Sequence, residues 1–191
     1  MRTADAFTWV RIVFAPIFFI LYMIPEWTGL FANITIFVIW PLLLFSEFTD
    51  FLDGFYARRH KEVSDFGKIF DPFADVILHV TAFFCYASSG HMPMWALLFI
   101  VLREIAIQFV RLMAQKENFA MGAQMSGKIK TVMYIATGFL SLFIVSLERL
   151  GFIPVNELLF ANDICYVVCV VLSYFSFAQY VGIFVKLKKK N

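Results

Sequence analysis

The sequence predicts an all-α integral membrane protein with six transmembrane helices, and three observations predict it. Of its 191 residues, 61% are hydrophobic and 16% charged, with 25 phenylalanines and a mean hydropathy of +0.79. An average soluble domain is about 45–50% apolar and about 25% charged, so this surplus is too large for one water-soluble core. Second, the apolar residues gather into six runs of about the 20 residues that a helix needs to cross a bilayer. Third, fifteen of the sixteen Lys and Arg fall at alternate ends of those runs, leaving only Arg149 on the other side. That asymmetry places both termini in the cytoplasm.

The first run, 7–24, follows a short polar start. It carries Arg11 and lacks a small-residue cleavage site, so it reads as a retained helix and not a signal peptide. Pro25 and Gly29 are expected to end it. The second run, 30–51, leads into an acidic and basic stretch. A connection of about seventeen residues is expected there, between Asp53 and Asp71. The third, 72–88, opens on Pro72, favourable at an early helical position, and stops at Ser88-Ser89-Gly90. The fourth, 93–113, starts at Pro93 and holds Arg103 and Glu104. The fifth, 130–147, is punctuated by Gly151 and Pro154. The sixth, 164–187, leads into Lys186, Lys188, Lys189 and Lys190, a cluster suited to anionic headgroups. No repeat, low-complexity tract or soluble appendage interrupts the pattern, so residues 1–191 read as one transmembrane domain.

Composition excludes several function classes. A net charge of +2 is too small for a nucleic-acid binder. Cys85, Cys165 and Cys169 all sit in apolar stretches, and an odd count suits reduced core thiols better than a disulfide framework. Cys165 and Cys169 share a helix face, but a soft-metal site needs a third or fourth ligand that the neighbouring sequence does not supply.

The chemistry concentrates in four aspartates. Acidic residues within transmembrane helices are costly, roughly 2.5–3.5 kcal/mol each at the helix centre. Asp50 and Asp53 are spaced i,i+3 at the end of the second run, and Asp71 and Asp75 i,i+4 at the start of the third. Each pair lies on one helix face, and two consecutive helices returning antiparallel can oppose the pairs. Four facing carboxylates repel unless cations sit between them, and hard oxygen ligands select Mg²⁺ or Mn²⁺. Taken singly, each Asp could be a solvated helix-end carboxylate paired with Arg58, Arg59, Lys61 or Lys68.

Their surroundings argue otherwise. The stretch DFLDGFYARRHKEVSDFGKIFDPFAD fits D-x2-D-G-x2-A-R-x8-G-x3-D-x3-D at all eight fixed positions. At average residue usage a chance match at one start is on the order of 10⁻¹⁰. This pattern resembles the signature of the CDP-alcohol phosphatidyltransferase family and implies that family's fold. The resemblance implies that Asp50, Asp53, Asp71 and Asp75 bind two Mg²⁺ or Mn²⁺ ions on a CDP diphosphate. It also implies that Asp75 is the general base for the incoming hydroxyl, that CMP is the leaving group, and that the protein is a homodimer. Gly54 and Ala57 leave a bare patch where a nucleotide can approach the backbone. Arg58 offers a planar fork to a diphosphate oxygen, and Gly67 permits close helix packing. With Thr8 and Asp50 these residues make up the expected site for CDP-diacylglycerol.

A second resemblance concerns the acceptor. LREIAIQFVR at 102–111, SGKIKT at 126–131 and the opening Thr8-Trp-Val-Arg11-Ile with Pro16 are similar to the phosphatidylglycerophosphate synthase branch. That implies glycerol 3-phosphate as acceptor and a multi-pass enzyme of the inner or plasma membrane, among membrane lipids, with its active site facing the cytoplasm. The residues themselves agree with an anionic acceptor. Arg103, Arg111, Lys128 and Lys130 cluster at the cytoplasmic ends of the fourth and fifth helices, and Arg103 lies too deep for a simple headgroup anchor. Asp5 and Val76 depart from the branch, and Ala74-Asp75-Val76-Ile77 is closer to phosphatidylserine synthases. Serine, inositol phosphate or a phospholipid therefore stay open as acceptors. His79, one turn past Asp75, either touches the site or is a hydrogen-bonded interior residue. A divalent-cation transporter would need polar residues reaching both faces, whereas the outer halves of these helices are almost wholly apolar. A catalytically inactive lipid-binding scaffold would be expected to have lost a metal ligand, and all four Asp remain.

Overall fold

The computed structural model describes residues 3–60, 65–117, 124–152 and 155–189, with side chains described for all of these except 3–8, 50–60, 65–69 and 71. Six helices follow one another: α1 Thr3–Thr28, α2 Ala32–His60, α3 Asp65–Ser88, α4 Met94–Lys116, α5 Met125–Arg149 and α6 Asn156–Lys188. No strand occurs among the described residues. Among the described residues four helical segments are long and apolar enough to cross a membrane: Trp9–Thr28, Ala32–Thr49, Met125–Arg149 and Asn156–Lys188; Pro72–Ser88 is a shorter apolar segment. α4 falls short on composition because it carries Arg103, Glu104 and Arg111. Its Leu98, Leu102, Ile105, Phe109 and Leu112 nonetheless face outward.

Several helix ends differ from the sequence expectation. α1 runs through Pro25 and stops only at Gly29, whose φ of +68° suits the residue without a Cβ. The seventeen-residue connection expected after Asp53 is largely helix, because α2 continues to His60 and α3 begins at Asp65. α6 begins at Asn156, eight residues before the apolar run, with Glu157 in its first turn, where the helix dipole favours an anion. α5 ends at Gly151 as expected. With φ +83°, Gly151 donates to the Glu148 carbonyl at 3.0 Å and Phe152 to that of Leu147 at 2.9 Å, the paired bonds of a Schellman motif.

The helices group into two units, one formed by residues 1–89 with 145–153 and the other by 90–144 with 154–191. In the first unit α1 packs against both α2 and α3, around Phe18, Tyr22, Ile39, Phe83 and Tyr86. The Tyr22 and Ser89 hydroxyls are 2.6 Å apart. Arg149, the one basic residue that breaks the charge asymmetry, donates to the Tyr22 carbonyl at 2.9 Å and to Glu26 at 3.0 Å. Its charge is spent on the C-terminal end of α1, where a helix favours a cation.

In the second unit α4 packs on α6, and polar side chains tie α5 to α6. Asn162 donates to the His91 carbonyl at 2.7 Å and accepts from the Ser141 hydroxyl at 3.1 Å, which lies 2.7 Å from that of Tyr166. The two contacts from Ser141 join α5 to α6; interhelical contacts of this kind average about 0.6 kcal/mol each within a membrane, so together they contribute ~1 kcal/mol. The three cysteines are free. Among the described residues no three His, Cys, Asp or Glu are placed to hold a metal, which leaves Cys165 and Cys169 without further ligands.

Candidate active site

The carboxylate site is built by the first unit. α1 and α2 are joined by only three residues and run antiparallel, with the Phe14 and Phe45 rings 6.0 Å apart. α3 runs parallel to α1, since Trp9 meets Phe70, Arg11 meets Asp75, Phe19 meets Phe84 and Tyr22 meets Ser89 in ascending order. α2 and α3 are therefore antiparallel. Glu47 of α2 and His79 of α3 lie side by side, Oε1 to Nε2 at 3.4 Å. One turn on from Glu47 is Asp50, and one turn back from His79 is Asp75, both toward the same end. The backbone register thus brings positions 50 and 53 level with 71 and 75.

Asp75 is the one of the four carboxylates whose side chain is described. It forms an ion pair with Arg11, which is 1% exposed against 34% for the Asp75 side chain. Sequence reading gave Arg11 no role at the site. The signal was present, a charge inside an apolar helix, but its partner is 64 residues away. His79 is an interior residue: its Nδ1 lies 2.8 Å from the Asp75 carbonyl oxygen, to which only a protonated ring nitrogen can donate. His79 and Glu47 thus lie where α2 and α3 meet, one turn from Asp75. The side chains of Thr8, Asp50, Asp53, Gly54, Ala57, Arg58, Gly67 and Asp71 lie outside the described set. Their backbones place Thr8 on α1, positions 50–58 on α2, and Gly67 and Asp71 at the start of α3.

The basic cluster belongs to the second unit. Arg103 of α4 is buried; its Nε donates to the Ser173 carbonyl of α6 at 2.9 Å and its Nη1 to Glu104 Oε1 at 2.9 Å. Lys130 of α5 donates to that same Glu104 oxygen at 2.7 Å and lies 4.5 Å from the centre of the Tyr134 ring. Arg111, two turns along α4 from Arg103, stacks 5.5 Å from the centre of the Tyr180 ring. The Tyr180 hydroxyl accepts the Gln124 N–H at 3.1 Å, at the start of α5. Lys128, in the first turn of α5, is exposed. The structure therefore joins Arg103 to Lys130 through Glu104, and Arg111 to the start of α5 through Tyr180, while Lys128 faces outward.

With both sets of residues placed, sequence comparison decides the family. The family model for CDP-alcohol phosphatidyltransferase matches residues 1–175. The chain belongs to this family. Curated relatives extend the match across the whole chain. A Treponema pallidum protein named CDP-diacylglycerol–glycerol-3-phosphate 3-phosphatidyltransferase is 37% identical over 199 residues, covering 100% of this chain and 92% of the relative. Two proteins of the same name are similar as well. That of Bacillus subtilis is 35% identical over 130 residues, covering 65% of this chain and 67% of the relative. That of Aquifex aeolicus is 27% identical over 182 residues, covering 94% of each. As a member of the family, the chain is a CDP-alcohol phosphatidyltransferase of phospholipid biosynthesis, and its long apolar helices are those of a membrane enzyme.

Proposed function

We propose that this phosphatidyltransferase moves the phosphatidyl group of CDP-diacylglycerol onto glycerol 3-phosphate, giving phosphatidylglycerol phosphate and CMP. The observation that carries the acceptor is the 37% identity, over the full chain, to a relative named for that reaction. The buried cations of the second unit agree with it, because glycerol 3-phosphate bears a dianionic phosphate at one end and a free hydroxyl at the other.

The donor set fits divalent cations: it consists only of carboxylates, hard oxygen ligands, on two antiparallel helices in matching register. Asp50, Asp53, Asp71 and Asp75 would hold two Mg²⁺ or Mn²⁺ ions, which when bound would neutralise the diphosphate and stabilise departing CMP. Arg58 would grip a diphosphate oxygen, and Thr8, Gly54, Ala57 and Gly67 would shape the nucleotide's seat. Asp75 would take the proton from the acceptor hydroxyl as that oxygen bonds to the phosphatidyl phosphorus and the bond from phosphorus to CMP breaks. Arg103, Arg111, Lys128 and Lys130 would hold the acceptor's phosphate. All six helices would span the membrane, α4 with its ionised residues turned inward, and both termini and the active site would face the cytoplasm. As the family resemblance implies, the working form would be a homodimer.

Kinetic separation of the two substrates tests this assignment. Lys128→Gln or Arg103→Gln should raise the KM for glycerol 3-phosphate far more than that for CDP-diacylglycerol, by the roughly 1.5–3 kcal/mol of a hydrogen bond to a charged group. Equal effects on both substrates would remove these residues from the acceptor site.

A further inference from the structure

Glu104 has no place in the reaction proposed above, yet it is 4% exposed and carries a charge among apolar helices. Its Oε1 accepts from both Arg103 and Lys130. Such a cluster could be a structural rivet between α4 and α5, but its charge does not balance. Two cations share one carboxylate, and the surplus positive charge is buried, with Arg103 and Lys130 at 3% and 12% exposure. A buried charge without a partner is costly, and an anion would remove that cost. The donors are also only partly used. Among the described residues Arg103 commits its Nε and Nη1, leaving Nη2, and Lys130 commits one of its three N–H bonds. The Ser173 carbonyl on one side and Glu104 on the other fix the guanidinium plane, while Glu104 and the Tyr134 ring fix the ammonium. Groups locked in this way pay little ordering entropy when a ligand arrives.

From this arrangement we infer that Glu104 is a positioning residue for the acceptor's phosphate, acting through Arg103 and Lys130. The inference rests on glycerol 3-phosphate being the acceptor. It makes a prediction opposite in sign to simple electrostatics. A carboxylate beside an anion site repels the anion, so if charge alone mattered, its removal would tighten binding. If Glu104 positions the two cations, its removal loosens binding despite the added positive charge.

The experiment measures steady-state kinetics of Glu104→Gln with glycerol 3-phosphate and CDP-diacylglycerol varied in turn. The KM for glycerol 3-phosphate should rise about tenfold, with kcat and the KM for CDP-diacylglycerol within about twofold of wild type. In a Lys130→Gln background the same substitution should add little, because the two residues act as one unit. A lowered KM, or a lowered melting temperature with KM unchanged, would overturn the inference, as would fully additive effects. Should Glu104→Gln not accumulate, Glu104→Asp carries the test: it keeps the charge but draws the carboxylate back by one bond, about 1.5 Å. It should also raise the KM for glycerol 3-phosphate, and an unchanged KM there overturns the inference. Wild-type protein that does not turn over glycerol 3-phosphate removes the acceptor reading itself; wild-type activity with an unmoved KM in the variants removes only the role of Glu104.

Discussion

Asp75→Asn removes three things at once, the proposed proton acceptor, a proposed metal ligand and the partner of a buried cation, and the structure lets the stability loss be separated from the loss of turnover. Arg11 is 1% exposed and loses its ion-pair partner. Breaking a buried pair costs roughly 3–5 kcal/mol, and the partial exposure of Asp75 discounts this to about 2–3 kcal/mol. For a chain of this size that corresponds to a fall in Tm of about 4–12 °C. General-base catalysis contributes about 10²–10⁴-fold, equivalent to roughly 2.7–5.4 kcal/mol of barrier. The assay is CMP release per mole of folded protein, with the folded fraction taken from size-exclusion chromatography in detergent and Tm measured on the same sample. The single variant should lose stability and at least a hundredfold in kcat. The double variant Arg11→Met with Asp75→Asn removes both charges, so it should recover most of the Tm and none of the kcat. Turnover within tenfold of wild type in Asp75→Asn, or its return in the double variant, would refute Asp75 as the base.

Two further outcomes follow from the carboxylate site and the helix order. EDTA should abolish CMP release and Mg²⁺ or Mn²⁺ should restore it, while Asp50→Asn, Asp53→Asn and Asp71→Asn each lose most turnover yet still insert and purify; full activity in any two contradicts the two-ion site. In a background lacking Cys85, Cys165 and Cys169, an impermeant thiol reagent should label Lys61→Cys only from the cytoplasmic side and Asn156→Cys only from the other. Labelling of both from one side contradicts six crossings.

The number and order of the helices are legible in the sequence as six apolar runs, but their ends are not. Hydropathy marks where side chains stop favouring lipid, whereas a helix ends where its backbone hydrogen bonds end. The charged stretch up to His60 and the turns from Asp65 therefore continue helices that hydropathy cuts short, and α6 starts eight residues early for the same reason. Glycines that need positive φ marked their ends correctly at Gly29, Gly90 and Gly151; Pro25 did not, because it lies within α1, as Pro16 does and Pro41 does in α2, and membrane-spanning helices tolerate the one hydrogen bond that a proline forgoes. Of the site, the spacing of the eight signature positions was legible and pairing across the fold was not. Arg11 and Asp75 each stand out as charges in apolar surroundings, but only the parallel packing of α3 on α1 brings them together. Arg103 and its neighbour Glu104 were visible side by side. That Lys130 shares the same carboxylate oxygen from 26 residues away depends on how α5 meets α4, which no local pattern encodes.

The central claim is the identity of the reaction, and one measurement reaches it most directly. Purified protein in detergent or vesicles is given CDP-diacylglycerol with Mg²⁺ and, in separate reactions, glycerol 3-phosphate, serine, inositol phosphate or a phospholipid, and CMP release and the lipid product are followed together. The account predicts CMP release that depends on glycerol 3-phosphate, with phosphatidylglycerol phosphate formed in equal amount. CMP release supported by serine or another acceptor, but not by glycerol 3-phosphate, would contradict it.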